Sequence, residues 1–159
     1  MPTTTPIPES ILANVATQLA AITVANSYRN TVTTVGRQFI NAERVTGTLL
    51  PALLISGEEM DYSIAAISGT PKQAISLKFK IQGILKSYST PSTDLLKLVQ
   101  DVREKLYSDR SRGGYADNTF ISRVEFGGDP FGTYGSPPFV MKPYIGFLMD
   151  VEVAFQEHL

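Results

Sequence analysis

The 159-residue chain contains no cysteine, which excludes disulfides and thiolate metal sites and removes any need for an oxidising compartment. Histidine occurs once, at His158, so a Ser–His–Asp triad or a multi-histidine metal centre would have to be built on the penultimate residue. An exposed histidine at a frayed end is the simpler reading. Charge is sparse: Asp, Glu, Lys and Arg make up 18% of the chain and nearly cancel, to −1. That excludes the bulk positive potential of proteins that bind nucleic acid or anionic membrane non-specifically. Sparse charge also leaves surface open for protein contacts, which predicts an oligomer. No apolar stretch approaches the ~20 residues of a membrane helix. The N-terminal Met1–Pro6 stretch has no basic region leading into an apolar core, so a soluble protein made inside the cell is expected. Gly113-Gly114 and Gly127-Gly128 lack the lysine and hydroxyl residue of a phosphate-binding loop and read as turn glycines.

What is present is strong periodicity. In Tyr144–Gln156, Ile145, Phe147, Met149, Val151, Val153 and Phe155 alternate with Gly146, Leu148, Asp150, Glu152, Ala154 and Gln156. Strand side chains point alternately to opposite faces, so this is a strand with one covered face. Residues 72–88 repeat the pattern. Ile75, Leu77, Phe79, Ile81 and Leu85 share one face, opposite Ser76, Lys78, Lys80, Gln82 and Lys86, and Gly83 suggests a bulge or bend. The two strands are expected to pair. A helix is predicted over 8–23 from Ile11, Leu12, Val15, Leu19 and Ile22. A second is predicted over 91–108, capped by Thr90, opened by Pro91 and striped by Leu95, Leu98, Val99, Val102 and Leu106. Lys97, Asp101, Arg103, Glu104 and Lys105 fall on its polar side. Further strands are expected at 32–40, at 49–55 with Gly57 as its stop, and at 119–126 with Phe120, Ser122, Val124 and Phe126 on one side. The sum is a flexible segment 1–7 and one α/β (α+β) domain over 8–159: a single mixed sheet with helices mainly on one face. Residues 109–139, rich in glycine and proline towards their end, form a long arm.

Chemistry-bearing clusters are few. Glu58, Glu59 and Asp61 form an acidic turn that could hold a hard cation, or simply be solvated. Lys78, Lys80 and Lys86 form a strip that could meet a nucleic-acid backbone or water. Asp150 and Glu152 share a strand face, where two carboxylates can act as acid and base if their environments differ. In the arm, Arg110, Arg112, Tyr115, Phe131 and Tyr134 are the residue types that enrich at protein interfaces. A metal-dependent hydrolase and a nucleic-acid-binding module stand as the alternatives to an assembly protein.

The segments Leu49–Ile55, Asp94–Val102 and Tyr144–Val153, in this order of elements, resemble tail terminator (tail completion) proteins of long flexible-tailed bacteriophages. The resemblance covers the chain from about residue 8. It implies a non-enzymatic virion protein with no cofactor or metal. Such a protein forms a homo-oligomeric ring, a hexamer in that family, on the finished tail tube. It ends tube growth and offers a surface to the head connector or head completion protein. Its expected place is the head-proximal end of the tail, reached from the host cytoplasm during assembly. Its partners would be itself, the tube protein and the connector, with DNA only as passing cargo and no membrane. Another neck or tail-tube component is the near alternative. On this reading Asp150 and Glu152 are possible channel-facing residues.

Overall fold

A computed structural model describes residues 5–38, 47–66, 69, 71–87, 89–126 and 144–158. Helix α1 (Ile7–Ala20) is followed by strands β1 (Thr34–Gly36), β2 (Ala52–Ala66) and β3 (Lys72–Lys86). Helix α2 (Pro91–Ser108) and strands β4 (Asn118–Phe126) and β5 (Tyr144–His158) complete the order. The five strands form one mixed sheet in the order β1-β2-β3-β5-β4, in which only β1 and β2 run parallel. Phe131 and Tyr134, with residues 127–139 of the proposed arm and Phe39–Ile40 of the proposed first strand, lie outside the described residues.

Both helices lie on one face of the sheet. The odd residues of β5, from Ile145 to Phe155, are all buried, as are Ile75, Leu77, Phe79, Ile81 and Leu85 of β3. They share one core with Ile11, Leu12, Val15 and Leu19 of α1 and with Leu95, Leu98, Val99, Val102 and Leu106 of α2. The α2 bounds agree with those expected. Thr90 does not cap the helix with its side chain, however. Its hydroxyl donates to Asp94 Oδ2 at 3.2 Å, and Ser87 Oγ donates to the same oxygen at 2.6 Å. Helix α1 stops at Ala20 rather than residue 23, where the β-branched run Ile22–Val24 begins and Thr23 accepts from Asn26 N to close a 3-10 turn.

Three strand readings are corrected. Gly83 is not a bulge: β3 pairs with β5 without a slip from Lys72↔His158 to Lys86↔Tyr144. The glycine stands opposite Phe147, whose ring occupies the space a β-carbon would take. Gly57 does not end β2. At φ 71° it and Glu58 together oppose Phe79, a bulge of the glycine-led kind, and the strand then continues through the supposed acidic turn. Ser122 is an extra residue between the Ile121↔Val151 and Arg123↔Asp150 pairs of β4. It shifts the strand's phase, so Phe120 faces away from the helices while Val124 and Phe126 face towards them.

Candidate partner-binding surfaces

The uncovered face of the sheet is built from the even residues of β5 and β3. Lys78 stands opposite Glu152 and Lys80 opposite Asp150. Lys80 Nζ reaches Asp150 Oδ1 at 2.7 Å, Lys78 Nζ reaches Asp61 Oδ2 at 2.6 Å, and Ser76 Oγ donates to Glu152 Oε1 at 2.5 Å. The Asp61 carboxylate, with help from Glu152 and Glu59, raises the Lys78 pKa above the ordinary lysine value. Solvent screens such exposed pairs, so they set register and neutralise the face more than they stabilise it. A shallow depression of about 270 Å³ lies over Gly57, Lys80, Ser122, Asp150 and Glu152.

This arrangement bears on each cluster read from the sequence. Lys78 and Lys80 are tied to carboxylates, so they do not form a bare basic strip. Glu58, Glu59 and Asp61 lie on a strand, not in a turn, and Glu58 is 3.5 Å from Arg37, which also bridges to Glu9 at 3.0 Å. Among the described residues no group of three or more His, Cys, Asp or Glu side chains is placed to hold a metal ion. His158 closes β5 as an exposed strand-end residue. No helix of the described residues is long and apolar enough to cross a membrane.

The loop after α2 divides the residues expected at an interface. Tyr115 is half exposed, and the Arg110 guanidinium lies 4.7 Å from the centre of the Tyr107 ring, a cation–π contact at the surface. Arg112 is the correction: its side chain is fully buried and turned inward, so it offers nothing to a partner. It donates from Nη2 to the Leu106 carbonyl, one of the unpaired acceptors at the C-terminus of α2. Burial lowers its pKa, and the nearby Asp109 carboxylate counters that. Asp109 itself organises the loop, accepting from Ser111 Oγ at 2.7 Å, Ser111 N at 3.1 Å and Gly113 N at 2.7 Å. These bonds hold its pKa below the usual carboxylate value, Ser111 foremost.

Two features escaped the sequence reading. The first is Asp101, placed among the solvent-facing residues of α2 but fully buried. Its carboxylate accepts from Arg29 N, Arg29 Nη1, Asn30 N and Asn30 Nδ2, at 2.8 to 3.2 Å. It thereby pins the 27–30 connection to the helix. Its position three residues after Leu98 and one before Val102, at the edge of the apolar stripe, was the available signal. The second is the outer half of β2. Met60, Tyr62 and Ile64 are opposite Leu77, Ile75 and Gln73, on the helix-covered side, yet they are 40%, 55% and 77% exposed.

The fold and these surfaces define an α+β domain with a one-sided core, a self-neutralised polar sheet face and an exposed apolar stripe along one strand. No protein-family model matches the chain, and no curated protein is significantly similar to it.

Proposed function

We propose that this chain is a structural phage-tail assembly protein of the tail-terminator type. It forms a homo-oligomeric ring on the end of the tail tube, ends tube polymerisation and presents the surface that meets the head connector. The observation that carries the reading is the exposed stripe of Met60, Tyr62 and Ile64. Large apolar side chains exposed in a row along one strand mark a protein contact. A ring subunit needs two unlike surfaces, because head-to-tail contacts that close by rotation never match a patch with itself. The β2 stripe supplies one, and the opposite side of the sheet, with Phe120 and Phe126 exposed on β4, supplies another. The polar face suits a ring through which DNA passes, since Lys78 and Lys80 are held by Asp61 and Asp150 and so do not present a bare cationic lining. Asp150 and Glu152 are the carboxylates this reading places towards the channel.

The test is negative-stain electron microscopy of the purified chain mixed with cognate tail tubes, with light scattering for mass. Rings several times the 17.4 kDa subunit mass, seated on tube ends, are expected. Decoration along the tube's length would assign the chain to another tube or neck component. A protein that neither forms rings nor binds tubes would overturn the reading.

A further inference from the structure

Among the described residues the sheet has two open edges that fit each other. On one side β1 pairs with β2 only through Thr34↔Ala52, Val35↔Leu53 and Gly36↔Leu54. Among the described residues no strand pairs with β2 on that side beyond Leu54, so among them Ser56–Ala66 carries a row of backbone groups with no ladder partner. Such a row is a template for a further strand. On the other side β4 is the last strand of the sheet among the described residues. The Ile121 N–H of that edge is already met by Tyr107 Oη at 3.1 Å, and Thr119 N–H by Asn118 Oδ1 at 2.8 Å. Its open stretch is therefore Arg123–Phe126.

We propose that β4 of a second copy of this chain docks on the outer half of β2 and continues the sheet from one subunit into the next. Three observations select this occupant. The first is direction. The β2–β3, β3–β5 and β5–β4 pairings are all antiparallel, so β4 runs opposite to β2 within one sheet. A copy placed alongside, with its helices on the same face, sets its β4 antiparallel to β2, the more stable pairing per residue. The second is apolar match. Met60, Tyr62 and Ile64 of β2 and Val124 and Phe126 of β4 all stand on the helix-covered face. The third is charge. On the uncovered face β4 carries Arg123 and Glu125, paired with each other at 3.1 Å, so it brings no net charge against Glu59 and Asp61 of β2. Two β2 edges facing one another would instead bring Glu58, Glu59 and Asp61 against their own copies. Pairing unlike edges from opposite sides of the sheet is head-to-tail, the type of contact that closes into rings. The proposal rests on the assembly reading for its setting, but its geometry is tested separately.

The cysteine-free chain makes that test clean. Ile64→Cys and Phe126→Cys place single thiols on exposed side chains, and a short bismaleimide tolerates a slip in register. On the full chain at ring-forming concentration, an equimolar mixture of the two variants should cross-link into dimers. The double variant should give a ladder of multimers, and either single variant alone should stay uncross-linked. Ile64→Lys should shift the sedimenting species from multimer to monomer while the circular dichroism spectrum is unchanged. Dimers of Ile64→Cys alone would mean that identical edges meet. A double variant that stays monomeric on the gel, or an Ile64→Lys variant that assembles like wild type, would also overturn the edge pairing. Cross-linking without tube capping would sink the tail-end reading and leave the edge pairing standing; capping without cross-linking would do the reverse.

Discussion

Gly83→Ala is the sharpest probe of how the core is packed. A β-carbon built on Gly83 would lie 2.1, 2.4 and 2.8 Å from Cε1, Cζ and Cδ1 of Phe147. Those distances are well inside van der Waals contact, and the ring is only 2% exposed, held between the sheet and the helices. Forcing an extra methyl into a packed core costs about 1–3 kcal/mol, and so deep an overlap belongs at the top of that range. Alanine regains about 0.5–1 kcal/mol because it has less backbone freedom to lose on folding than glycine. The net loss is about 2 kcal/mol, a factor of about 30 in the folding equilibrium. For a domain of this size it lowers the melting midpoint by about 4–8 °C. Urea denaturation should show a lower midpoint with an unchanged slope. The decisive measurement is the double-mutant cycle with Phe147→Ala, which removes the ring at a cost of about 3–5 kcal/mol. In that background Gly83→Ala should be neutral or stabilising, a coupling of about 2–3 kcal/mol. A Gly83→Ala variant as stable as wild type, or one equally destabilised with and without the ring, would refute the account.

Two further outcomes follow from the polar contacts. Asp101→Ala strips the buried acceptor from the Arg29 and Asn30 backbone N–H groups and should cost about 2–4 kcal/mol in chemical denaturation. Asp101→Asn should recover part of this, and an Ala variant with wild-type stability would show that the 27–30 connection needs no anchor. Asp109 has a folded pKa below its ordinary value, so its contribution is fully present above the usual carboxylate range and is lost as pH falls through the depressed folded value. Amide exchange at Gly113, corrected for intrinsic rate, should show falling protection as the solution is acidified below that range. Asp109→Asn should lose that pH dependence, and protection unchanged with acid would argue against the hydrogen-bonded carboxylate.

The parts of the fold carried by periodicity were legible in the sequence. Every apolar odd residue of Tyr144–Gln156 is in the core, and the stripe from Leu95 to Leu106 gave α2 its bounds, because burial on one face leaves a repeat of two or of about 3.6. What failed were the places where one residue changes the phase. Gly57 reads as a stop, but at positive φ it inserts a bulge and the alternation resumes as Glu59, Met60, Asp61, Tyr62, Ser63, Ile64. Ser122 carries no such mark, and the phase change between Phe120 and Val124 is visible only through the register with β5. Among the candidate site residues, Arg110 and Tyr115 are at the surface as expected. Arg112 is not, because a helix C-terminus offers its guanidinium a carbonyl inside the fold. Asp150 and Glu152 share the uncovered face as their spacing required, but their partners Lys80 and Ser76 come from a strand some 70 residues distant, which no local pattern shows.

The outer half of β2 has a consequence for motion as well as for contact. Residues 57–64 are exposed on both faces, while the adjoining residues of β3, Ile75 and Leu77, are buried. This stretch is held by its ladder to β3 and by little apolar burial of its own. It is therefore a part of the sheet that can detach at small free energy, by local opening that leaves the core intact. A strand that breathes on its own can let go of water and take up a new neighbour without unfolding the domain behind it. Once seated there, the neighbour would damp that breathing, so each subunit added would arrive beside one more rigid than it was when free.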